Sequence, residues 1–258
     1  MATQNAGHAR NVANFKEVII ILNNLNGKWN PVQDVLKVPN LETFHLACEA
    51  KLSAFNVALS VDSIKTDSRS QAYKPLNDLL TRTFAAMKSC GMDASIIERA
   101  KTLKDLISGT NVAQATRRRL KETEKLQLMA VTEGVDLPEQ PKAHSVSQQS
   151  YDERLDNFEK FITLLETAAN YATNHEGLSL EALKAFRDKL NNANDETNHA
   201  YDLAAHQRDQ RNEMLYGETD SINVRIDLIK NELISAEGSQ GVNYRKVCSY
   251  RFVNYTDS

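Results

Sequence analysis

Asn14–Asn24 reads NFKEVIIILNN, and Asn157–Thr167 reads NFEKFITLLET. One chain writes nearly the same helical phrase twice, 143 residues apart, and the fold follows from that recurrence. In the first copy Val12, Phe15, Val18, Ile19, Leu22 and Leu25 recur at helical spacing and predict a helix over 7–26 with one wide apolar stripe. Gly27 stands where a C-terminal left-handed glycine would stop it. In the second copy Phe158, Phe161, Ile162, Leu164 and Leu165 take the places of Phe15, Val18, Ile19, Ile21 and Leu22.

The correspondence extends outward from both phrases. After the first comes the loop KWNPVQDVLKVPN (28–40), with the only Trp, and Asn40 as a candidate N-cap. A long helix then carries Leu41, His45, Cys48, Leu52, Phe55 and Leu59 at alternating spacings of four and three, the rhythm of a coiled-coil seam. It either breaks near Thr66–Ser68 or continues to Tyr73. Pro75 suits the first turn of a third helix that stops at Gly91, and a fourth follows over 93–108. A fifth, charged helix is expected over 112–132. LEALKAF from Leu180 echoes LETFHLA from Leu41, and RDQRNEML from Arg208 echoes RSQAYKPL from Arg69, both at an offset of 139. The second long helix, 179–216, holds no Gly or Pro and would reach roughly 55 Å unbroken.

These features predict an all-α chain of elongated helical bundles, built from two tandem copies of a helix–loop–long helix–helix unit. The first repeat, with its extra charged helices, is expected over 1–133. GVDLPEQPKAHSVSQQS makes 134–150 a connector, and 151–258 the second repeat. The end of the chain breaks the helical period. RKVCSYRFVNY (245–255) alternates, which predicts a strand over 246–254 pairing with part of 144–149, a small two-stranded element near the C-terminus.

Composition bounds function more than it identifies it. The 258 residues carry a net charge of −3, which gives no general pull toward nucleic acid. Cys48, Cys90 and Cys248 are odd in number and widely spaced, which fits a reducing compartment and gives no disulfide or zinc framework. MATQNAGHAR has no apolar core of a secretory signal, and no apolar run approaches a membrane span. A cytoplasmic location and no stable membrane insertion are expected.

Four groups of residues carry candidate chemistry. Glu42 with His45, and Glu196 with His199, each form a Glu-x-x-His pair on one helical face, the motif of di-iron bundles. The pairs fall at non-equivalent places in the two copies, and Glu42 is explained by the first helical turn. His199 and His206 share a face but read as polar seam residues. Arg117, Arg118 and Arg119 head RRRLKETEK, the densest basic run; interleaved Glu122 and Glu124 and the lack of aromatic residues read as a solvated face or a protein contact. Tyr250 and Phe252 are too apolar for a free tail and are candidate contact residues. No phosphate loop, nucleophile elbow or zinc-protease motif is present.

SVSQQSYDERLDNF (145–158) and RDQRNEMLY (208–216) resemble segments of uncharacterised two-repeat helical proteins from Bacteroidetes. The resemblance covers mostly the second copy and implies an architecture without a site.

The sequence therefore predicts a non-enzymatic structural or interaction protein without cofactor. Its partner would be another protein or a second copy of itself, and a self-assembling homo-oligomer fits the repeated helical surfaces. The alternatives are a membrane-active, toxin-like helical component and a di-iron metalloprotein.

Overall fold

A computed structural model describes residues 2–25, 27–109, 150–168 and 170–255, with side chains from residue 7 onward. All regular structure among these residues is helical: α1 (Ala2–Asn23), α2 (Val38–Tyr73), α3 (Leu76–Ser89), α4 (Ala94–Ser108), α5 (Tyr151–Thr167), α6 (Leu180–Tyr216), α7 (Ile222–Glu237) and α8 (Val242–Cys248). A 3-10 turn precedes each long helix, Asp34–Leu36 before α2 and Glu176–Leu178 before α6. No helix among the described residues is long and apolar enough to cross a membrane. The expected fifth helix over 112–132 and the connector up to residue 149 lie outside the described residues.

Local chemistry sets the helix ends. Ser150 opens α5 with a capping box: its hydroxyl accepts from the Glu153 N–H at 3.1 Å, and the Glu153 carboxylate accepts from the Ser150 N–H at 3.3 Å. Ser221 caps α7 through the Val224 N–H. Gly91 and Gly238, which follow α3 and α7, sit at φ 68° and 75°, where a side chain would be strained. One expected boundary moves, and one left open is decided. α2 starts two residues before Asn40, so Asn40 lies in its first turn and donates instead to the Asp34 carbonyl at 2.6 Å. α2 also runs unbroken through Thr66–Ser68 to Tyr73, because that polar stretch holds no glycine or proline.

The helices form two compact units. One combines residues 1–64 with 198–258; the other is 65–197. In the first, Phe15, Val18 and Leu22 of α1 pack with Leu41 and Cys48 of α2, Leu215 of α6 and Ile222, Ile226 and Ile229 of α7. In the second, Phe158, Phe161 and Leu165 of α5 pack with Leu183 and Leu190 of α6, Leu76, Leu80 and Met87 of α3, and Ala100 and Ile107 of α4.

The two cores reuse the same local devices. Phe15 meets Phe44 edge-on, with centroids 5.9 Å apart at 83°; Phe158 meets Phe186 at 6.0 Å and 81°. Trp29 donates its indole N–H to the Leu36 carbonyl at 2.9 Å, and Tyr171 donates its hydroxyl to the Leu178 carbonyl at 2.6 Å. Each bond ties the loop to the 3-10 turn before a long helix. Leu183, rather than the Leu180 that the echo of LETFHLA aligned with Leu41, shares Leu41's setting: each follows its 3-10 turn by five residues and is fully buried.

The expected C-terminal strand is not formed. Val242–Cys248 is helical, with Val247 buried in the first unit's core, and residues 250–255 belong to no strand. The alternation read in RKVCSYRFVNY comes from joining a helical turn to a short tail without regular structure. The tail's backbone finds its partners on α1: Asn14 donates to the Arg251 carbonyl at 2.9 Å, and Asn11 donates to the Val253 carbonyl at 2.7 Å and accepts from its N–H at 3.3 Å. Side-chain amides thus do what a neighbouring strand would have done. The expected partner, 144–149, lies outside the described residues.

Candidate functional site

The residues that seat this tail also build a buried polar constellation in the first unit. The spacing of Gly7, His8, Asn11 and Phe15 puts them on one strip of α1, turned inward. His8 is fully buried and Asn11 nearly so. The His8 Nδ1 lies 2.7 Å from the Tyr216 hydroxyl at the end of α6, and Asn11 donates to the same hydroxyl at 3.2 Å. Burial pushes the Tyr216 phenol up to about 12, so it stays protonated across the physiological range. Tyr255 closes the strip. Its ring meets His8 edge-on at 5.6 Å, and it lies over Gly7 where any Cβ would collide with it.

Outside this buried strip, α1 and the tail enclose a cleft of about 610 Å³ lined by Arg10, Asn14, Ser249, Tyr250, Arg251, Val253 and Tyr255. Arg10 and Arg251 are exposed and have no ion-pair partner among the described residues. Among the described residues no carboxylate lines the cleft. From Val242 to Tyr255 the chain carries Arg245, Lys246 and Arg251 and no acidic residue, against a net charge of −3 for the whole.

The second unit holds a larger cleft of about 770 Å³, lined by Arg82, Ser89, Cys90, Asn170, Asn174 and His175 among others. The Cys90 thiol donates to the Ala172 carbonyl at 2.5 Å. Arg82 faces Asp78 at 4.0 Å on its own helix.

The candidates read from sequence fall as follows. Glu42 is exposed, and because α2 starts at Val38 it lies beyond the first turn in which the sequence placed it. His45 is buried, its ring 6.4 Å from that of Phe15; burial lowers its pKa, and its Nε2 lies 3.8 Å from Glu49 rather than near Glu42. Glu196 is exposed and pairs with Lys65 at 2.8 Å, while His199 is exposed. His206 Nε2 lies 2.6 Å from the Gln210 amide nitrogen. Among the described residues no group of three His, Cys, Asp or Glu side chains is placed to hold a metal. Arg117, Arg118 and Arg119 lie outside the described residues. Tyr250 and Phe252 are half-buried against the first unit's core, so their first contacts are within the chain.

Sequence reading missed His8, Arg10, Asn11, Asn14 and Arg251. The run of fourteen residues ending at Tyr255 without an acid was a visible signal for Arg251. Nothing in the sequence marked α1 as its neighbour. No family model, curated protein or solved structure matches the chain.

Proposed function

We propose that this is a non-enzymatic, cytoplasmic helical protein that works by association, with a second copy of itself as the partner. The observation that carries the reading is a stripe on α2. Leu46, Ala50, Ser53, Val57, Ser60 and Ile64 repeat at spacings of four and three, and all six are exposed. Leu46, Val57 and Ile64 are 64%, 61% and 62% exposed, on the side of the helix opposite Cys48 and Phe55. The core-facing stripe of α2 already has its partners, so a second stripe of the same period, apolar at Leu46, Ala50, Val57 and Ile64, has the form of a coiled-coil seam for another helix. Tyr201, 65% exposed on α6, adds aromatic surface to the same unit.

The reading includes an internal duplication. Paired aromatic contacts, paired loop-to-turn hydrogen bonds, and long helices of 36 and 37 residues support two copies of one ancestral segment. Light scattering on a concentration series tests the association. The expected mass is a multiple of 29.0 kDa, and Val57→Glu returns it to a single chain without loss of helicity. A wild-type monomer at the highest soluble concentration sinks the reading.

A further inference from the structure

We propose that the cleft between α1 and the C-terminal tail is a binding site for a phosphate-bearing small molecule, held by Arg10 and Arg251. The cleft lies wholly within the first unit. Arg10 and Arg251 both line one recess that no carboxylate lines among the described residues. A dianion bound there supplies oxygen acceptors for both forks of N–H donors. A phosphate ester fits better than a carboxylate because its several oxygens can engage both forks together.

The backbone beneath this pair is fixed in advance. Asn14 holds the carbonyl of Arg251 itself, and Asn11 holds both polar groups of Val253. The tail therefore runs antiparallel to α1 with Arg251 anchored at its own peptide, and Arg10 projects from the helix one turn before Asn14. Little chain entropy remains to be lost on binding. Tyr250 and Tyr255 add two phenols to the wall, which suits a phosphate carried on a small organic body.

The site rests on different residues from the α2 stripe, so it can fail or succeed independently of self-association. The test is titration of the full chain with inorganic pyrophosphate and with phenyl phosphate, followed by amide NMR and calorimetry at low salt. Saturable binding is expected, with shifts concentrated at residues 10–14 and 249–255. Arg10→Gln and Arg251→Gln should each weaken it about tenfold or more. Lys246→Gln removes the same charge from a neighbouring position outside the cleft and should change it by less than about twofold. Absence of saturable binding at millimolar ligand overturns the proposal. So does an equal loss in Lys246→Gln, which would reduce the effect to general attraction, or shifts centred elsewhere in the chain. All three side chains are exposed, so folding of the variants is checked by their unchanged helical signal.

Discussion

At the scale of single residues, the fold is held by side chains with no access to water. Phe15 and Phe158 are each fully buried, and each leans edge-on against a second ring. Truncating either to Ala removes apolar area and leaves a cavity, so each substitution is expected to cost about 3–5 kcal/mol in urea unfolding. A loss under ~1 kcal/mol at either position would show that its surroundings are not a packed core. His45 makes a sharper test, because it titrates. Burial lowers its pKa in the folded state below the unfolded value of about 6.5. The unfolded chain therefore takes up the proton first as pH falls. The His45 contribution is intact above the unfolded value and is lost as pH drops from there toward the folded value. The wild-type stability should fall more steeply between neutral and mildly acidic pH than that of His45→Gln. Parallel curves would show that His45 is solvated. Both the phenylalanines and His45 were legible in the sequence, since apolar spacing points each toward the helix interior. The roles of His8 and Asn11 were not, because a polar residue on an apolar strip declares burial without declaring its partner.

At the scale of elements, the tail is the instructive case. Its alternation predicted a strand over 246–254; the chain is helical to Cys248 and then forms no strand, and its backbone is held by two asparagines on α1. Periodicity reports which faces a segment presents; it does not report what receives its backbone. Asn11→Ala strips both polar groups of Val253 of their partner and removes a donor to Tyr216, a loss on the order of 1–3 kcal/mol. Trypsin should then cut after Arg251 faster than in wild type, by about tenfold, while helix content stays the same. Unchanged protection of that bond would mean that the Tyr250 and Phe252 packing alone seats the tail. The helices themselves were read with better success, because stops such as Gly91 are local.

At the scale of the whole molecule, neither unit is a contiguous stretch drawn from one side of residues 110–149. The first takes residues from before and after that segment, and so does the second. A protease site inserted within 110–149 should therefore leave a nicked protein whose two fragments co-elute without denaturant and keep the parent helical signal. Separation of the fragments in native buffer would contradict the division of the chain. This interleaving was not readable in advance. Repeated phrases show that two segments are alike, but each long helix offers the same apolar stripe to a near neighbour and to a distant one, and the pattern does not choose between them.

The interleaving also sets an order of events during synthesis. The second unit contains no residue beyond 197, so it can close while residues 198–258 are still on the ribosome. The first unit cannot. Phe15, Val18 and Leu22 are made long before Ile222, Ile226 and Val247, which cover them. In that interval the nascent chain carries an uncovered apolar helix, a natural ligand for holding chaperones, until α7 and α8 emerge to bury it.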